Sequence, residues 1–380
     1  MNRRRLLSSA AALCLTGSAA AAAPIRTRWR IATSEGLDAL AFLGPLSGKP
    51  FYTRFYEAEL AIFRPKLPAD ALAALARLSD AYDADDTLMW PTLTLIMSGG
   101  RTGDVDMLVR SLEAAETDLL APFRANANWD EKTWARFMAA RPDLDTVLRA
   151  LAAADFAGFR RGYVEPIAAR RIAELSAFYG GLDVVAEQER LLGRRLDPEV
   201  QIDLLWFCKP HAARVQGQRF IAHFTYSDQA MVKTAAHELF HPPFDMRGAT
   251  ARACLAILEK DALFARILAE KDRSTGYNTL EGVLNEDVAQ ALDQIVQERL
   301  GFALDPKTRW TGADQGMHIL AAGLYGQLKA EGYDRTGGNI ERWMANAARS
   351  GKLSPAVLHA AAARVVERPV DRLWTTPGEV

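Results

Sequence analysis

Apolar residues recur at helical spacing through most of the chain. Ala and Leu do so over 70–84, 105–126 and 129–140, and each stretch predicts an amphipathic helix. An Ala/Leu/Arg-rich region over 143–194 predicts more helix, interrupted at Pro166 and at Gly180-Gly181. Pro68, Pro91 and Pro142 mark further boundaries. The pattern changes at Val200. Residues 200–207 and 219–226 are rich in β-branched and aromatic side chains, and the polar stretch between them holds Pro210, Gly217 and Gln218. That predicts two strands, with a hairpin as one way to join them. Helical spacing returns after Tyr226 and runs to Arg364. The expected fold is mainly α with a small β-sheet, an α+β architecture. A boundary near 196 divides a helical N-terminal region, 24–195, from a sheet-bearing region, 196–380; one intertwined domain is the other arrangement.

The first 23 residues follow a different rule. Arg3, Arg4 and Arg5 precede an apolar, small-residue run over 6–23, with small-x-small cleavage sites at 19–23. Pro24 disfavours a cut directly before it, so cleavage is expected after Ala22. The arginine run resembles a twin-arginine signal, and an ordinary secretory signal fits as well. The expected location is therefore exported, periplasmic or secreted from a bacterium. Removing the signal leaves 43 basic against 47 acidic residues. That balance excludes a nucleic-acid partner read from charge. No later segment is long and apolar enough to span a bilayer, so no stable membrane insertion is expected after signal removal. Cys208 and Cys254 remain, too few for a disulfide scaffold; their pairing is open.

The informative motif is His237-Glu238-Leu239-Phe240-His241. Ser227 is an N-cap for the helix that would carry it. Two histidines four apart sit one turn apart on one face, so both imidazoles can reach one metal ion, and neutral imidazole suits zinc. The intervening Glu238 can take a proton from water at that metal. On a helical wheel Met231, Val232, Ala235, Ala236, Leu239 and Phe240 fill one half, and Thr234, His237, Glu238 and His241 the other. The first half is expected to pack and the second to face a cleft. Pro242 and Pro243 follow at once and are expected to end the helix at His241. Histidine is scarce, 6 in 380 residues, and His211, His223 and His359 are expected to be structural.

The motif, with the later stretch Leu284-Asn285-Glu286-Asp287-Val288-Ala289, resembles the gluzincin metallopeptidases. The resemblance covers about 237–293 and implies a zincin-like catalytic region within 196–380, Zn2+ as cofactor, and a peptide or protein substrate. It implies His237, His241 and Glu286 as the zinc ligands and Glu238 as the catalytic base. It also implies that the strand over 219–226 is an edge strand able to pair with extended substrate. Glu281 is the rival third ligand, because it borders the apolar stripe Leu280, Leu284, Val288, Ala291, Leu292 and Ile295, whereas Glu286 faces the other way with Gln290 and Asp293. Some such families place an Asp four residues after the ligand Glu; here that residue is Gln290, so the supporting carboxylate must come from elsewhere. For the donor to the developing oxyanion, His318, with Asp314 one turn before it, ranks ahead of Tyr325 and Tyr277. The expected function is a zinc-dependent hydrolase, a metallopeptidase. The alternative is a non-catalytic envelope binding protein that keeps the fold, motivated by Pro242-Pro243 and the missing Asp.

Overall fold

The computed structural model describes residues 24–85, 87–126, 128–272 and 277–375; the expected export signal lies outside the described residues. The chain is mainly helical with one mixed four-stranded sheet. Strand β1 (Arg28–Thr33) leads into helix α1 (Glu35–Leu46). A helical layer follows, in which the helix Ala69–Asp83 packs on α2 (Glu131–Ala153). Helices α3 (Phe156–Tyr179) and α4 (Val184–Leu192) return the chain to β2 (Glu199–Leu205). The short β3 (Ala213–Arg214) and β4 (Arg219–His223) complete the sheet. Beyond it come α5 (Asp228–Glu238), α6 (Leu280–Leu300), α7 (Pro306–Gly312) and α8 (Ile319–Ala330).

The strand order is β1-β2-β4-β3. β2 and β4 are parallel neighbours, with Gln201 opposite Arg219 and Leu205 opposite His223. They are therefore not a hairpin. The hairpin is β3 with β4, where Ala213 faces Ile221 and Arg214 faces Phe220. This also corrects the edge-strand expectation: β4 lies between β2 and β3, and the edge on that side is β3. β1, which the apolar pattern does not reveal, pairs in parallel with β2. Its register depends on a return of the chain through the whole helical layer, which no local pattern encodes.

Apolar cores cover both faces of the sheet. Val200, Ile202, Leu204, Phe220 and Ala222 join a core built mainly from residues after Val164. Leu205, Phe207, Cys208, Val215 and Ile221 join one built from residues 37–156. Burial on both faces explains why β2 and β4 read as continuous apolar runs. Cys208 and Cys254 are buried in different cores and do not pair.

Helix boundaries also differ from the pattern. The stretch over 105–126 is three short helices, Val105–Glu113, Ala115–Asp118 and Leu120–Arg124. Conversely, Pro142 and Pro166 lie inside α2 and α3 without ending them. Proline costs roughly 3 kcal/mol inside a helix, and the tertiary packing of these long helices absorbs it. The actual break comes at Asp155, in the left-handed region, whose carboxylate caps the Gly158 N–H. Among the described residues no helix is long and apolar enough to cross a membrane.

Candidate metal centre

Helix α5 forms where its sequence starts it: the Ser227 hydroxyl accepts from the Ala230 N–H, and Asp228 sits in the first turn. Met231, Val232, Ala235, Ala236, Leu239 and Phe240 are all buried, as the wheel requires. The α-helix stops at Glu238, three residues earlier than expected. Two prolines follow that cannot donate an N–H, and the last turn tightens before them. Phe240 N–H donates to the His237 carbonyl (2.9 Å) and His241 N–H to the Glu238 carbonyl (3.1 Å). His241 thus still arrives one turn after His237. Arg214 of β3 holds this end, with Nη1 donating to the carbonyls of Glu238 (3.0 Å) and His241 (2.7 Å). A cation on the last carbonyls satisfies groups that every helix end leaves open. Arg194 adds a bond to the Pro242 carbonyl (3.0 Å).

Helix α6 brings the carboxylate. It packs against α4, α5 and α8, and Val283, Leu284 and every residue from Glu286 to Gln297 are buried. Glu286 is therefore not on a solvated face. Its two oxygens lie 3.4 Å from His237 Nε2 and 3.4 Å from His241 Nε2, and the two Nε2 atoms are 2.9 Å apart. Burial alone would raise the Glu286 carboxyl, but the facing imidazoles hold it well below the usual carboxylate range. Glu281, the rival ligand, is exposed in the first turn of α6 and takes no part in the cluster.

The supporting carboxylate is Asp293. Its Oδ2 lies 2.7 Å from His237 Nδ1 and fixes that nitrogen as a donor, which orients the ring with Nε2 toward Glu286. Gln290, in the place where an Asp was sought, donates to Glu286 Oε1 (2.9 Å). Burial pushes His237 down, but Glu286 and Asp293 outweigh it and draw the ring well above its ordinary range. Arg214, Gln290, Asp293 and Arg309, which bonds Asp293, were not singled out by motif. The scarce signal for Asp293 was its spacing: seven residues after Glu286, two turns along the same face.

The donor set fits a zinc ion. Bonds of about 2.0–2.2 Å at tetrahedral angles hold ligand atoms roughly 3.3 Å apart; the separations here are 2.9, 3.4 and 3.4 Å. His237, His241 and Glu286 form one group of ligand atoms within 4.8 Å of one another. Two facing imidazole nitrogens can share only one proton, whereas a cation satisfies both lone pairs.

Glu238 is half-buried, and its carboxylate has no hydrogen-bond or ion-pair partner among the described residues. The expected oxyanion donors lie differently. His318 is fully buried with both ring nitrogens engaged, Nδ1 by Asp287 (2.6 Å) and Nε2 by Asp314 (2.9 Å). Burial opposes its charge, yet the two carboxylates push it up to about 10. It has no N–H left for a substrate. Asp314 does orient the ring, but from a kinked segment at φ 45° rather than a helical turn. Tyr325 packs on Trp310 and donates to Glu298, in a cluster with Lys329. Tyr277, ranked last, lies near the ligands: burial, helped by the nearby Glu286 charge, pushes its phenol up, and its ring lies edge-on to His318, centroids 5.8 Å apart. Its backbone holds φ 52°, an uncommon conformation for a bulky residue. His211, His223 and His359 bond Tyr52, Thr225 and Asp261, away from the cluster. No family model, curated protein or solved structure matches the chain.

Proposed function

We propose that the chain is an exported zinc-dependent hydrolase that cleaves peptide bonds. The observation that carries this reading is the convergence of the His237, His241 and Glu286 donor atoms, with Glu238 next to His237 in the chain. Zinc held by these three residues would lower the pKa of a water and polarise the scissile carbonyl. Glu238 takes the proton of the attacking water and delivers it to the leaving nitrogen. Among the described residues its carboxylate makes no hydrogen bond or ion pair, which supports that role by leaving both oxygens open to the water. The Tyr277 phenol, beside the ligands, donates to the oxygen that gains charge. Asp293 keeps the His237 tautomer productive throughout. The basic and then apolar N-terminus supports export.

The test is metal content of the purified mature chain by mass spectrometry, with a peptide library as substrate. The expected result is about one zinc per chain, lost in Glu286→Ala and kept in Glu281→Ala. Glu238→Gln should retain the metal and lose turnover. Wild-type protein that takes up no metal when zinc is supplied would overturn the reading. It would favour the envelope binding protein, for which the Pro242-Pro243 ending of the motif stands as support.

A further inference from the structure

Two hydrogen-bond chains approach the metal ligands from behind, and they start on adjacent residues. The first begins at Arg309 of α7. Its guanidinium forks onto Asp293, Nη1 to Oδ1 and Nη2 to Oδ2 (3.0 Å), and Nη1 also reaches Gln294 Oε1 (3.0 Å). Asp293 then takes His237 Nδ1. The second begins at Trp310, whose indole N–H donates to Gln290 Oε1 (3.0 Å), and Gln290 Nε2 donates to Glu286 Oε1 (2.9 Å). Trp310, Gln290 and Asp293 are buried, and Arg309 lies largely covered over the Trp310 ring.

Neither chain has slack. An indole N–H can only donate, so the Gln290 amide must turn its oxygen to Trp310 and its NH2 to Glu286. A forked guanidinium fixes the plane of the Asp293 carboxylate, which a single donor would not. That plane aims the oxygen at His237 Nδ1. α7 itself is held rigidly: Pro306 opens it, Asp305 caps the Thr308 N–H, and it packs on the helix Pro355–Val366. His241 contrasts with the other two ligands. Its buried Nδ1 has no partner among the described residues, and its backbone is held by Arg214.

We propose that α7 is a positioning platform for the metal centre: Arg309 orients His237 through Asp293, and Trp310 orients Glu286 through Gln290. Neither residue touches the site, yet metal affinity depends on both. The inference rests on the metal-binding reading above.

The experiment compares the full mature chain with Arg309→Met, Arg309→Lys, Trp310→Phe and Gln290→Met. Zinc affinity is read by competition with a chromophoric chelator, and ligand geometry by the visible spectrum of the Co2+ form. Unfolding midpoints of the metal-free proteins monitor folding. Arg309→Met and Trp310→Phe should each weaken zinc binding about 10–100-fold and shift the Co2+ bands. Arg309→Lys, which restores the charge without the fork, should fall between Arg309→Met and wild type. Gln290→Met breaks the second chain at its middle and stands in if Trp310→Phe folds poorly. Folded Arg309→Met and Gln290→Met proteins with wild-type affinity and an unchanged Co2+ spectrum would overturn the platform. A wild-type chain that binds neither zinc nor Co2+ would instead overturn the metal reading, and the platform with it.

Discussion

His223 sits at the end of β4 with its Nδ1 bonded to the Thr225 hydroxyl and N–H, 2.9 and 3.1 Å. Burial, helped by the nearby Lys209 charge, pushes its pKa down to about 3. The folded state therefore holds the ring neutral where the unfolded chain would charge it. The sign follows from linkage: the folded value lies below the unfolded one, so this contribution is intact above about pH 6.5 and is lost as pH falls toward 3. His223→Asn keeps an acceptor for Thr225 and cannot titrate. Urea unfolding at pH 7.5 and at pH 4.5 should show a larger drop in stability for the wild type than for this variant. Equal drops would mean that the ring is charged in the folded protein. At the same scale, the residues that spacing alone identified were His237, Glu238 and His241. Glu286 came through the family resemblance, and the fold places it, not the exposed Glu281, against the two histidines. The pattern expected Glu286 to look outward, because Gln290 and Asp293 beside it are polar. Those polar residues are the reason it can be buried: a carboxylate leaves water only with partners, and Gln290 is one of them.

The end of α5 is decided by a contact that no helix pattern contains. Pro242 and Pro243 stop the helix, and Arg214 from a two-residue strand receives its last carbonyls. Arg214 is itself half-buried, so its removal leaves covered carbonyls without donors. Each such group costs about 1–3 kcal/mol. Arg214→Met should therefore destabilise the metal-free protein by roughly that amount in chemical denaturation. It should also weaken zinc binding, since Arg214 holds the His241 carbonyl. A variant with unchanged stability would show that water replaces the guanidinium. Helix α6 illustrates the converse. Its existence was legible; its N-cap, Thr279 on the Gly282 N–H, is shown by the structure. Its burial on nearly all sides was not legible, because a central helix of mixed composition looks amphipathic in sequence.

Across the whole molecule, one buried ion pair ties the helical layer to the sheet. Asp38 of α1 accepts from Arg160 Nε of α3 (2.7 Å) and from the backbone N–H groups of Trp206 and Phe207 just beyond β2 (2.8 Å to Oδ1 for each). Burial raises the Asp38 carboxyl against the pull of Arg160 and the two N–H groups. Asp38→Ala would leave a covered guanidinium and two N–H groups unpaired. Losing one partner of a buried pair costs about 3–5 kcal/mol, and urea denaturation should show a loss of that order. A loss under about 1 kcal/mol would mean that apolar contact alone joins the two cores.

The sequence by itself determined the local features: a mainly helical chain, two strands in the right places, the start of α5 and its motif residues opposite its apolar half. Periodicity and capping are properties of neighbours in the chain, and they survive folding when nothing overrides them. Tertiary structure decided the rest. It made β2 and β4 parallel, inserted β3 at the edge, and carried Pro142 and Pro166 through long helices. It tied His318 and Tyr325 into other networks and set the Tyr277 ring against His318. It also recruited Asp293, Arg309 and Trp310 behind the ligands. The physical reason is common to these cases. Pairing partners, burial and hydrogen-bond satisfaction are set by groups far away in the chain, and no window along the sequence contains them.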